Sequence, residues 1–177
     1  PTMRDPTAMR EPTWRARATA GGIFAGVMGA AVLAAFHVVA NWLTGRDVWL
    51  GMKAAALPFL GAERVLRTGF EAGPVILGLL AHFAVAIGWA LPFGLVFYGL
   101  NRGATVAAGI AWGVVVWASM YSLVLPALGR TRSSSDARHR AIFDHVLFGA
   151  TVGAAFLPFQ REDDEASPWL GSERTTL

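Results

Sequence analysis

His37, His82 and His145 each fall within a long apolar stretch of the chain, and Tyr121, Asn41 and Asp144 fall at comparable positions. Histidine changes charge between about pH 5 and 8, and its ring nitrogens ligate haem iron and other metals. Three chemistries are open to such a set. Histidines from different segments, His37 with His82 or His82 with His145, could ligate a b-type haem or another tetrapyrrole. The three histidines with Asp144 could hold a metal ion. Or neutral, hydrogen-bonded histidines could line a cavity with Asn41, Tyr121 and Asp144. Such a cavity would take protons, water or an anionic lipid headgroup drawn by Arg130, Arg132, Arg138 and Arg140. We adopt the third, so neither a cofactor nor a metal is expected; haem is the alternative. No motif of a self-contained enzyme accompanies these residues: there is no P-loop, no HExxH and no Ser-His-Asp order. Ser133, Ser134 and Ser135 with His139 read as a helix cap. With no cysteine there is no thiolate ligand or nucleophile.

The elements that carry these residues follow from composition. Hydrophobic residues make up 54% of the 177-residue chain and charged residues 15%, against about 25% charged in a soluble domain. Residues 18–45, 72–101 and 103–129 carry no charge at all, and each run exceeds the roughly 20 residues that a bilayer-spanning helix needs. A soluble fold and a nucleic-acid reader are excluded, despite a pI near 10.2. The expected fold is all-α: a four-helix transmembrane bundle in one domain, residues 18–160. Its spans are expected at about 18–43, 74–100, 104–125 and 137–160, flanked by a polar tail over 1–17 and an acidic tail over 161–177. Pro74 suits the first turn of the second span, and Pro92 should kink it, freeing the Gly88 carbonyl. The third span should stop before Pro126. The first loop, residues 44–71, mixes Trp49, Leu50, Met52, Phe59 and Leu60 with Lys53, Arg64 and Arg67. This mixture predicts a short helix in the membrane interface, interrupted at Pro58.

Small residues recur at helical spacing: Gly22, Gly26, Ala30 and Ala34; Gly109 and Gly113; Gly149 and Gly153. Such stripes let helix backbones approach closely in lipid. The polar residues share those faces at spacings of three and four. Counted from the ends of their helices, they all lie roughly 7 to 12 Å below the surface bearing the first and third loops. His37, His82, Tyr121 and His145 are therefore expected to form one layer.

From about Gly73 to Arg161 the order of features resembles the YagU-like family of small bacterial inner-membrane proteins. The matching elements are His82-Phe83, Phe93-Gly94-Leu95-Val96-Phe97, Gly109 to Gly113, Tyr121 to Gly129, and Asp144-His145-Val146-Leu147-Phe148-Gly149. In the last of these, Asp144 stands where the family pattern has Gly. The resemblance implies a four-span inner-membrane protein with cytoplasmic termini, associated with acid tolerance.

The expected function is that of a non-catalytic integral membrane protein, a structural or accessory subunit of a larger membrane assembly. Its partners are lipids and other membrane-protein subunits, with no nucleic acid. The alternative is a small transporter, a proton-linked sensor or a haem- or pigment-binding protein using the histidine layer. Arginine in place of lysine almost throughout points to a bacterial source. Arginines divide almost evenly between the two sides, so the positive-inside rule does not orient the chain. Four spans require both ends on one side. Arg17→Cys and Arg161→Cys should therefore react with a membrane-impermeant thiol reagent from the same face. Reaction from opposite faces would reject the four-span topology.

Overall fold

The structure, a computed structural model, describes residues 13–127 and 135–160, with side chains in the second segment from Ala141 onward. The elements are helical. They are α1 (Trp14–Leu43), α2 (Leu50–Ala54), α3 (Leu57–Val65), α4 (Ala72–Val96), α5 (Arg102–Ser119), a π-turn (Met120–Val124), α6 (Leu125–Ala127), α7 (Ser135–Phe156) and a 3-10 turn (Leu157–Phe159). Among the described residues, four helices are long and apolar enough to cross a membrane: Trp14–Leu43, Ala72–Val96, Arg102–Ala127 and Ala141–Phe159. The fold is the expected all-α four-helix transmembrane bundle.

The boundaries differ from expectation for local reasons. Helix α1 begins at Trp14 rather than near residue 18, because the Thr13 side chain accepts from the Ala16 N–H and caps it. Helix α4 ends at Val96, short of residue 100. Gly99 adopts φ +92°, a conformation open to glycine, and reverses the chain there. Asn101 then caps α5 by accepting from the Ala104 N–H at 2.8 Å.

The third span does not stop before Pro126. It runs on to Ala127 through the π-turn, in which the Leu125 N–H reaches the Met120 carbonyl. Proline lacks an N–H, and its ring crowds the carbonyl four residues back; one wider turn just before Pro126 accommodates both. The first loop holds α2 and α3 rather than one helix, and Gly61 at φ +75° breaks α3 in its middle. Pro58 does not interrupt a helix but opens α3, where no backbone donor is missed. Of the polar tail expected over 1–17, residues 14–17 belong to α1; residues 1–12, the tail expected over 161–177 and the cap residues Ser133 and Ser134 lie outside the described residues.

Helix α1 is central. It packs against α4 on one side and α7 on the other, and α5 packs against α7; α4 and α5 touch little. The order around the bundle is therefore α4, α1, α7, α5. Glycine sets each of the three tight interfaces. A methyl group on Gly26 would lie 2.7 Å from the Ile87 Cα, and one on Gly94 would lie 2.6 Å from the Ala18 carbonyl oxygen. On its other face, a methyl on Gly21 would meet the Phe156 ring at 2.5 Å, and one on Gly29 the Phe148 ring at 2.8 Å. Between α5 and α7, a methyl on Gly149 would lie 2.7 Å from the Gly113 nitrogen. The aromatic core fills what the glycines leave. Phe93 and Phe156 are fully buried edge to face at 5.7 Å. Trp112 joins the two helices that otherwise part, donating its indole N–H to the Trp89 carbonyl at 3.0 Å.

The end near the termini is closed by Gln160, which is 4% exposed. Its amide oxygen accepts from the Gly99 N–H at 2.7 Å. Its nitrogen donates to the Phe97 carbonyl at 2.9 Å and to the Thr105 hydroxyl at 2.7 Å.

The glycine contacts with backbone atoms cannot relax by side-chain rotation. Gly149→Ala should therefore cost about 1–3 kcal/mol or more, as overpacking does. Gly88→Ala, with nothing described within 4 Å of the added methyl, should be neutral or gain up to about 1 kcal/mol of helix propensity. Unfolding of both variants in mixed micelles tests the contrast, and equal effects would reject it.

Candidate functional site

The six polar residues expected in one layer are all partly buried, and none is turned fully to the lipid side. Each long helix presents its share at the end near the first and third loops. His37 on α1 and Asp144 on α7 meet, with Nε2 of the ring 3.3 Å from the carboxylate Oδ2. His145, the next residue on α7, turns to the other neighbour: its ring lies 6.4 Å from that of Tyr121. Tyr121 sits on the π-turn, next to Trp117 at 6.1 Å. His82 on α4 donates from Nε2 to the Ala30 carbonyl of α1 at 3.1 Å. The polar links thus run α4 to α1 to α7 to α5, the same order in which the helices pack. Asn41 lies one turn beyond His37; its side chain makes no hydrogen bond among the described residues.

The ring nitrogens are largely committed. Nε2 of His37 faces Asp144, and Nε2 of His82 is used on Ala30. His145 donates from Nδ1 to the Ala141 carbonyl at 2.7 Å. Ligation of haem by His37 with His82 through Nε2 would draw His37 away from Asp144 and break the His82–Ala30 bond, so the side chains as placed do not fit that pair. Nor do the three histidines and Asp144 assemble into a metal site: no group of three or more potential ligands converges among the described residues. The reason is the same, since each histidine is directed to a different neighbour. Of the anionic-lipid residues expected, Arg130 and Arg132 lie outside the described residues, as do the side chains of Arg138 and Arg140.

The first loop covers this end of α1 and α4. Gly51 of α2 lies against His37: a methyl there would be 2.9 Å from the His37 Cβ and 3.3 Å from its Nδ1. The α2 backbone at Met52 and Lys53 rests on Gly78 of α4, with the Lys53 Cα 3.2 Å from where a methyl on Gly78 would be. Lys53, expected as an interfacial cation, is instead completely buried. Its ammonium donates to Asp47 Oδ2 at 2.9 Å, to the Gly69 carbonyl at 3.0 Å and to the Arg67 carbonyl. Three donors meet three acceptors, so the charge is fully satisfied. The Asp47 carboxylate also accepts from the Trp49 and Gly69 N–H groups at 3.0 and 3.1 Å. Gly69, at φ +89°, offers its N–H and its carbonyl to the two members of this clasp.

Sequence reasoning missed the clasp because Lys53 resembles any interfacial cation. One signal was available: it is the chain's sole lysine beside fourteen arginines. A compact ammonium with three tetrahedral donors suits three converging acceptors, and a planar guanidinium does not.

Over residues 16–167 the chain matches the model of a family described as a family of unknown function, DUF6789, and it belongs to that family. No curated protein and no solved structure matches it. Nothing in the family match bears on the resemblance to the YagU-like proteins.

Burial alone would raise the Asp47 carboxyl. The hydrogen bond and charge of Lys53, with the Trp49 and Gly69 amides, outweigh it and hold the carboxyl below its ordinary 3.8. A depressed carboxylate contributes stability that is complete above the ordinary value and is lost as pH falls through the lowered one. The clasp should therefore hold down to pH 3.8 and open below it. Hydrogen exchange at the Gly69 and Trp49 amides, corrected for intrinsic rate, reads this directly. Lys53→Met, which leaves the partly buried Asp47 carboxylate without its cation and two loop carbonyls without their donor, should cost about 1–3 kcal/mol. Lys53→Arg should not restore the protection. Full rescue by arginine would show that charge alone, not donor geometry, holds the loop.

Proposed function

We propose that this DUF6789 member is a non-catalytic, multi-pass protein of a bacterial inner membrane, with cytoplasmic termini, that responds to protons through the His37–Asp144 pair. The observation that carries the reading is the contact itself: an imidazole and a carboxylate from two different spans, 3.3 Å apart, with side chains 32% and 28% exposed. Ionisable groups inside a span are costly and mark functional paths or switches. The two groups come from separate spans and are only partly buried. Imidazole also changes charge in the physiological range.

A structural or accessory subunit, the leading expectation from sequence, has no need of an ionisable pair at that depth. The pair therefore favours the proton-linked alternative. In this reading, lipids and a further membrane-protein subunit are the partners, the subunit receiving the response. With the termini in the cytoplasm, the pair faces the outer side of the membrane.

The protein reconstituted in nanodiscs should show a thermal midpoint that depends on pH between about 5 and 8. In Asp144→Asn that dependence should be strongly reduced. Identical profiles for the two proteins would reject the reading. A dye-reported proton flux in liposomes, abolished by Asp144→Asn, would replace the sensor by a transporter.

A further inference from the structure

We propose that the His37–Asp144 contact holds helix α2 in place, so that gain and loss of a proton at the pair moves α2 against α1 and α4. The inference deepens the proton-linked reading and rests on it. The His37 ring lies between two partners. Its Nε2 edge faces Asp144 at 3.3 Å, and its Cβ, Cγ and Nδ1 face Gly51, where a methyl would come within 2.9 to 3.3 Å. No side chain on Gly51 separates the α2 backbone from the ring. A rotation of the ring away from Asp144 therefore changes the surface on which α2 rests.

Three contacts fix α2: Gly51 on His37, the Met52–Lys53 backbone on Gly78, and the Lys53 clasp. The helix has only five residues and no side-chain cap at its start. It has little internal stability of its own. Its position is set by these contacts, and the first of them depends on a titratable ring.

Among the described residues, the charged and titratable groups around His37 are as follows. From α7 it meets Asp144, with His145 one residue on and directed to Tyr121 of the third span. From α4 the titratable group is His82, whose Nε2 is engaged by the Ala30 carbonyl of α1. From the loop come Lys53 and Asp47, which neutralise each other. A protonated ring is drawn by charge to the carboxylate 3.3 Å away, and a neutral ring lacks that attraction. The α2 contact is thus firmer at the acid end of the histidine range.

The chain has no cysteine, so nitroxides can be placed at Ala54→Cys and Ala154→Cys, both exposed positions. Pulsed electron resonance in nanodiscs then reads the distance from α2 to the far end of α7. At about pH 5 a single narrow distance is expected, and at about pH 8 a shifted or broadened one. Asp144→Asn should give the broadened distribution at both, as should His37→Gln, which serves if the first variant does not fold. Gly51→Ala should displace α2 at both pH values by pressing on the ring. Nitrogen NMR of the His37 ring separates the two claims. If Asp144→Asn alters the His37 titration while the α2 distance never moves with pH, the α2 proposal is overturned and the proton-linked reading survives. If neither the titration nor the distance responds, both fall. A pH-dependent distance that persists in both Asp144→Asn and His37→Gln also overturns the proposal.

Discussion

Helices surrounded by lipid gain nothing by hiding apolar side chains from one another, because the solvent is as apolar as they are. What remains is close contact, and here glycine provides it. Helix α1 carries two glycine faces about a quarter-turn apart: Gly22 and Gly26 lie toward α4, and Gly21 and Gly29 toward α7. One helix thereby receives two neighbours at backbone distance. The α5–α7 pair repeats the device with Gly109, Gly113, Gly149 and Gly153. The rest of the bundle depends on these three contacts. They determine which helices are adjacent, and they leave α4 and α5 joined mainly by aromatic side chains around Trp112.

The polar links are a consequence of that order. With α1 between α4 and α7, His82 of α4 meets the α1 backbone at Ala30, and the Nε2 edge of His37 meets Asp144 of α7. Asp144 and His145, adjacent in sequence, project about 100° apart on α7, and so serve α1 and α5 respectively. The same separation explains why the histidines do not converge on a metal.

Much of this was legible in the residues. The charge-free runs marked the spans, and the depth arithmetic put His37, His82, Tyr121, His145, Asn41 and Asp144 at one level without saying which of them meet. The second glycine face of α1 was not recognised, because Gly21 and Gly29 interleave with the stripe that was. The partner of Asp144 was not legible either. Arg140, four residues before it, is the nearer choice in sequence, and only the packing of α1 on α7 brings His37 into reach. Helix ends were misplaced where a single residue decided them: Thr13 as a cap, Gly99 as a reversal, and the π-turn that carries the chain past Pro126. Gln160 gave no sign of its role, since a glutamine at the end of a span is indistinguishable from the start of a polar tail until its three partners are assembled.

The burial of Lys53 also has a practical consequence in bioconjugation. Every other basic side chain with a permanent charge is a guanidinium, which amine-directed esters leave untouched. Such a reagent therefore finds one side-chain target in this sequence, and in the folded state that target is sealed. Acylation at position 53, followed by mass spectrometry, becomes a clock for spontaneous opening of the first loop. The clock needs no engineered probe and has no competing side-chain site to subtract.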